Sequence, residues 1–187
     1  MKSIRVVLVC TFLASLLFGC AALDSAMSTR GVISESVSKM DDKRVVRMSS
    51  VLTDSNFTEL GLYWDSDKGD NAILIVQTLG AENFSPSKPF ELKIDGKLVE
   101  LQPIRKRDYG DAEIIAGSKY TSVHNISSKQ FIISKDQIKE LASANEAHYR
   151  LHLLNGKYRE DSISYLYPEF QSYVPFSFSN FHSTVWE

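Results

Sequence analysis

The chain has 187 residues, of which 43% are hydrophobic, 11% aromatic and 24% charged, enough apolar material for one globular core and too little for two. Lys and Arg number 21 against 23 Asp and Glu, so the net charge is -2, which excludes both the basic balance of a nucleic-acid binder and the acidic excess of a disordered tail. The two cysteines, Cys10 and Cys20, both fall within the first twenty residues, so the rest of the chain has no disulfide framework, thiolate metal site or cysteine nucleophile.

Lys2 and Arg5 precede an almost uninterrupted apolar run from Val6 to Phe18. Positive charge followed by about a dozen apolar residues is the order of a secretory signal peptide. The run falls short of the ~20 residues that a transmembrane helix needs. It ends in Leu17-Phe18-Gly19-Cys20. These residues resemble the lipobox of bacterial lipoproteins: an aliphatic residue at minus three, a small residue before the cut and a cysteine after it. Phe18 stands where a small residue is more usual.

The resemblance implies a signal peptide over residues 1–19, cleavage between Gly19 and Cys20, and acyl chains on Cys20 that make the membrane a partner. Each buried methylene contributes about 0.8 kcal/mol, so two or three chains anchor stably where one does not. Ala21 stands where, in enterobacterial-type lipoproteins, an aspartate tends to hold the protein at the inner membrane. The resemblance therefore implies the outer membrane, with the folded part facing the periplasm. Without lipidation, the same segment reads as the signal of a secreted protein with Cys20 as a stray thiol. Removing residues 1–19 takes away two bases and no acid, so the net charge falls from -2 to -4. No polybasic flank is left to hold anionic lipid headgroups.

Residues 20–42 are rich in Ser, Ala and charge, and read as a lipidated tether ahead of a single β-rich domain over 43–187. Ile33, Val37 and Met40 fall at helical spacing, which leaves a short docking helix open as an alternative. Short β-branched or aromatic runs begin at Lys43. Strands are predicted over 45–53 and 57–64, with Thr58, Leu60, Leu62 and Trp64 on one face. Ala72 to Leu79 is apolar on both faces, the pattern of a central, doubly covered strand. Asp95-Gly96 supplies the positive φ values of a tight hairpin turn after an alternating run, and Asn155-Gly156 reads as a second hairpin turn. Further strands are predicted over 112–116, 119–126 and 130–133. Ser134 and Gln137 form a capping box that opens a helix carrying Ile138, Leu141 and Ala142 on one stripe, with Asn145 able to stop it in a left-handed conformation.

The predicted fold is mainly β: an antiparallel sandwich or partly open barrel, with one short helix between late strands and an aromatic-rich helical or irregular C-terminal segment. That segment, 165–187, holds eight of the 20 aromatics. It is either a platform for sugars or a partner, or a plug in which Phe176, Phe181 and Trp186 close the open end. The need to cover unpaired edges favours the plug.

Few residues suggest chemistry. His148 and His152 would share a helix face, but the Asn-Gly turn beyond them puts them on a strand, about 13 Å apart and too far for one metal. Asp65, Asp67 and Asp70 around Gly69 lack the ligand order of a calcium loop. Ser36-Val37-Ser38-Lys39 and Ser85-Pro86-Ser87-Lys88 fit an S-x-x-K pattern without the companion motifs of serine acyltransferases. Arg105-Lys106-Arg107 reads as a solvated loop or an anion contact. The expectation is an envelope lipoprotein with a non-catalytic role, an envelope protein as partner, and no cofactor, metal or nucleic acid. A small cell-wall hydrolase or a carrier of a small apolar ligand is the alternative.

Overall fold

The computed structural model describes residues 31–53, 58–80, 82–104, 109–116, 121–163 and 173–187. These form two antiparallel sheets and two α-helices. The large sheet contains β1 (Ile33–Val37), β2 (Arg44–Leu52), β3 (Thr58–Asp65), β4 (Asn71–Leu79), β7 (Tyr109–Ala116) and β8 (Thr121–Ser134), in the order β1-β2-β3-β4-β8-β7. The small sheet contains β5 (Phe90–Ile94), β6 (Lys97–Leu101), β9 (Ala147–His152) and β10 (Tyr158–Ser162), in the order β10-β9-β5-β6. Neither sheet closes on itself, so the fold is a sandwich rather than a barrel.

The chain crosses between the sheets in extended form. After β6, the Ile104 amide donates to the Gln130 carbonyl at 2.9 Å and the Ile132 amide donates to Gln102 at 3.1 Å. Gln102–Ile104 therefore already runs beside β8 before β7 begins. β8 is one strand of 14 residues, where the sequence predicts two short ones.

Period-2 alternation sets which side is buried. Leu60, Leu62 and Trp64 on β3, Leu74 and Val76 on β4, and Phe131 and Ile133 on β8 all point inward. Phe90, Leu92, Tyr149 and Leu151 face them from the small sheet. The Phe90 ring lies 5.3 Å from Phe131 and 5.5 Å from Tyr149, an aromatic stack that joins the two layers. Lys129, Thr58, Thr78 and Ser127 make the interior polar at one end, and the Lys129 ammonium donates to the Ser85 carbonyl where the chain leaves β4 for β5.

The helices cover the other half of the inner face. α1 (Lys135–Ser143) opens on the predicted capping box, with the Gln137 amide donating to Ser134 Oγ and the Ser134 amide donating to Gln137 Oε1. It buries Ile138 and Leu141. Its end differs from expectation. Asn145 is not left-handed; the chain turns extended at Ala144, and Asp95 Oδ1 accepts from the Asn145 and Glu146 amides at 3.0 and 2.9 Å. The β5–β6 hairpin turn thus stops the helix, and Asp95 and Gly96 both have the positive φ that the sequence predicts.

α2 (Tyr173–Trp186) packs on α1, β1, β2 and β3. Its buried face is Val174, Phe178, Phe181 and Val185, spaced four, three and four apart, with Pro175 in the first turn. The aromatic tail is therefore a core element over 173–186. One member of the expected plug differs: Phe176 is 57% exposed, because it lies on the opposite side of the helix. Trp186 is half-buried; its indole and that of Trp64 both donate to the Gly69 carbonyl, at 3.1 and 2.9 Å. Tyr165, Tyr167 and Phe170 lie outside the described residues.

Ile33–Val37 forms neither a helix nor a free tether but the edge strand β1, paired with Val37↔Arg44 through Ile33↔Met48. Arg44 fixes it in place. Its Nε donates to Glu35 at 2.6 Å while NH2 donates to the Thr184 carbonyl at 2.7 Å, so one guanidinium holds β1 and the last turn of α2 together. The β4 expectation is half met. The strand is central, yet Ile73 and Ile75 on its outer side stay half-exposed.

Candidate functional site

The two outer faces of the sandwich carry different chemistry. On the small sheet, register places Glu91, Arg150 and Glu160 side by side on β5, β9 and β10. Arg150 ion-pairs with Glu91 at 3.2 Å and Glu160 at 2.9 Å, and lies 4.9 Å from the Tyr158 ring centroid. His152 Nε2 sits 2.8 Å from the other Glu91 oxygen, and His148 Nε2 2.8 Å from Glu146. A shallow cleft of about 240 Å³ lies over this ladder. Hydrogen bonds donated to Glu160 hold the Arg150 guanidinium charged, and both Glu91 and Glu160 have that cation as a partner.

The histidines stand where the strand reading puts them, on the outer side of β9 with Tyr149 and Leu151 inward. Among the described residues, no three His, Cys, Asp or Glu side chains converge on a point where a metal could bind. Asp65 caps the 3-10 turn Ser66–Lys68 and pairs with Lys68 at 3.3 Å, while Asp67 pairs with Lys43. Two of the three aspartates of the acidic turn are thus paired with lysines. In the S-x-x-K copy at Ser85, the Lys88 amide donates to Ser85 Oγ, so the spacing forms a local turn. Ser36 lies on β1 and Lys39 in the turn after it. Cys20 and Arg105-Lys106-Arg107 lie outside the described residues.

The large sheet's outer face is the exception. A trough of about 560 Å³ runs across β1, β2, β3 and β4, lined by Val32 and Ser34, Arg47, Ser49 and Ser50, Gly61 and Tyr63, and Ile75 and Gln77. The bulge between Met48 and Val51 turns both Ser49 and Ser50 outward. Ser50 Oγ then donates to Gln77 Oε1 at 2.6 Å, passing over Gly61 from β2 to β4. A side chain at Gly61 would crowd this bridge: a Cβ there would lie 3.2 Å from Ser50 Oγ and 3.3 Å from the Met48 carbonyl oxygen, so its neighbours would have to give by a few tenths of an ångström. Ser50 Oγ thus occupies Gln77 Oε1, which leaves Nε2 as the donor end of a side chain that lines the trough.

Arg47 stands at one end, its guanidinium 5.4 Å from the Tyr63 ring centroid. Arg44, Arg150 and Arg159 each pair with a glutamate, but Arg47 has no carboxylate partner among the described residues. Burial and a hydrogen bond to Asp65 push the Tyr63 phenol up, so the ring stays neutral. No acidic residue lines the trough.

Sequence reasoning misses this site. Its one legible trace is Gly61, an isolated glycine inside an otherwise strand-like run, which marks a bulge or a close backbone approach. The bridge over it joins residues 27 apart, and no local pattern encodes that. Comparison with protein-family models, curated proteins and solved structures finds no match for the chain, so the trough is read from its own geometry.

Proposed function

We propose that the chain is a lipid-anchored envelope protein that acts by binding rather than by catalysis, with the trough on the large sheet as its binding surface. The observation that carries the binding half is Arg47. A guanidinium with no carboxylate partner among the described residues, at a trough whose lining holds no acid, is an arrangement for holding something, whereas Arg44, Arg150 and Arg159 are paired within the fold.

The anchoring half rests on the lipobox resemblance at Leu17–Cys20 and on Ala21 as the residue that follows, which favour acylation of Cys20 and the outer membrane, facing the periplasm. In this reading residues 1–19 are removed and Cys20 begins a lipidated tether. The expected partner is another envelope component. No helix among the described residues is long and apolar enough to cross a membrane.

Two measurements test the proposal. Mass spectrometry of the mature N-terminus should find an acylated Cys20, and an unmodified start would remove the anchor. A photo-crosslinking residue placed at Ser34 or Ile75 in intact cells should capture a discrete adduct that the same residue at Glu160 does not. Equal capture from both faces would remove the trough as the binding surface.

A further inference from the structure

We infer that the trough takes a short acidic peptide segment, with a carboxylate on Arg47 and an aliphatic side chain against Ile75; this rests on the reading of the trough as the binding surface. Three features select that chemistry. The trough is donor-rich and acid-free, so its occupant must supply acceptors, and Arg47 presents the planar fork that fits a carboxylate. Gln77, whose Oε1 is taken by Ser50, has Nε2 as the donor that its side chain can offer to a backbone carbonyl of an extended chain. Val32 and Ile75 supply apolar walls.

A sugar fits less well. Saccharide sites need an open aromatic face, and the Tyr63 ring already carries Arg47 at 5.4 Å and Lys68 at 5.8 Å. The size also suits a few residues of peptide, since a trough of about 560 Å³ falls within the ~300–1,000 Å³ of small-ligand sites. Gly61 leaves room for the Ser50–Gln77 bridge to cross β3, which a Cβ 3.2 Å from Ser50 Oγ would crowd.

The experiment uses the full chain in detergent micelles and two diazirine-bearing probes, acetyl-Leu-Glu-amide and its isostere acetyl-Leu-Gln-amide. The expected result is saturable labelling of Val32, Ser34, Tyr63 or Ile75 by the acidic probe, at least ten-fold tighter than by the neutral one. Arg47→Gln should abolish that preference. Trough labelling that is equal for both probes, in wild type and in Arg47→Gln alike, overturns the acidic class and leaves the binding surface standing. Absence of labelling on the trough, or labelling confined to the small sheet, overturns both.

Discussion

The inner face of the large sheet has two covers, and they are built differently. Over β4 and β8 lies the small sheet, whose strands are cross-linked to one another by backbone ladders and to the large sheet by the Phe90–Phe131–Tyr149 stack. Over β1, β2 and β3 lies the helical pair, and α2 is the last element of the chain. Two strands of the small sheet, β5 and β6, lie between β4 and β7 in sequence, so that cover is tied to the large sheet at both ends. The tail helix has no such constraint. It is held by one apolar face, by Arg44 on its last carbonyls, and by two indoles on one oxygen. One fold thus contains an interwoven cover and a clasped one, and their stabilities should separate.

The largest effect should come from removing 173–187. Val174, Phe178, Phe181 and Val185 are buried, and each contributes about 1.5–3 kcal/mol of transfer free energy. A domain has only about 5–15 kcal/mol in total. The truncated chain should aggregate or lose its cooperative transition in urea. Cooperative unfolding at an unchanged midpoint would show that the clasped cover is dispensable.

Next come Phe181→Ala and Phe90→Ala, one in each cover and both fully buried, each expected to cost about 3–5 kcal/mol. Native-state hydrogen exchange should separate them. Phe181→Ala should speed exchange in α2 while β4 and β8 stay protected, and Phe90→Ala should lower protection throughout. Identical protection patterns would mean that the covers form one cooperative unit.

Smaller again is Ser134→Ala, which removes the reciprocal cap of α1, the helix under the tail. A loss of about 1 kcal/mol in denaturant midpoint analysis is expected.

The smallest effect is a pH response at the clasp. The hydrogen bond from Arg44 lowers the Glu35 carboxyl below its ordinary 4.5. A lowered carboxyl stabilises the folded state above the ordinary value and loses that contribution as pH falls through the lowered one. Protection factors of β1 amides should hold from neutral pH to about 5 and then drop in acid. Arg44→Gln should already have the lower protection at pH 7 and show no such drop. The outer ladder around Arg150 should show no comparable dependence on its own truncation, because exposed pairs contribute little.

The parts of this fold visible in the sequence are those written in short range. Asp95-Gly96, Asn155-Gly156 and Ser134–Gln137 each encode a turn or cap within four residues, and each stands where it was expected. The alternation of β3 and β5 likewise names its buried side. β1 escapes because four of its five side chains are exposed; Ile33–Val37 is a strand only because β2 offers an open edge. Asn145 misleads because a residue 50 positions away supplies the acceptor that stops α1. Of the trough, only Gly61 leaves a trace, since the bulge, the Ser50–Gln77 bridge and the isolation of Arg47 all depend on which strands become neighbours. β4 was the nearest to a warning: a strand apolar on both sides ends with one side uncovered, and that side forms a wall of the trough.

The shared acceptor at Gly69 has an optical consequence. Trp64 and Trp186 are the chain's only tryptophans, and their rings sit 6.3 Å apart at 70°. Two identical chromophores fixed so close and so far from parallel couple their excited states, and should give a circular-dichroism couplet that neither ring produces alone. The signal exists only while the last helix is seated, since 117 residues of chain separate that helix from the oxygen both indoles share. The molecule therefore carries its own unlabelled reporter of the clasp, readable in micelles or in the presence of a partner.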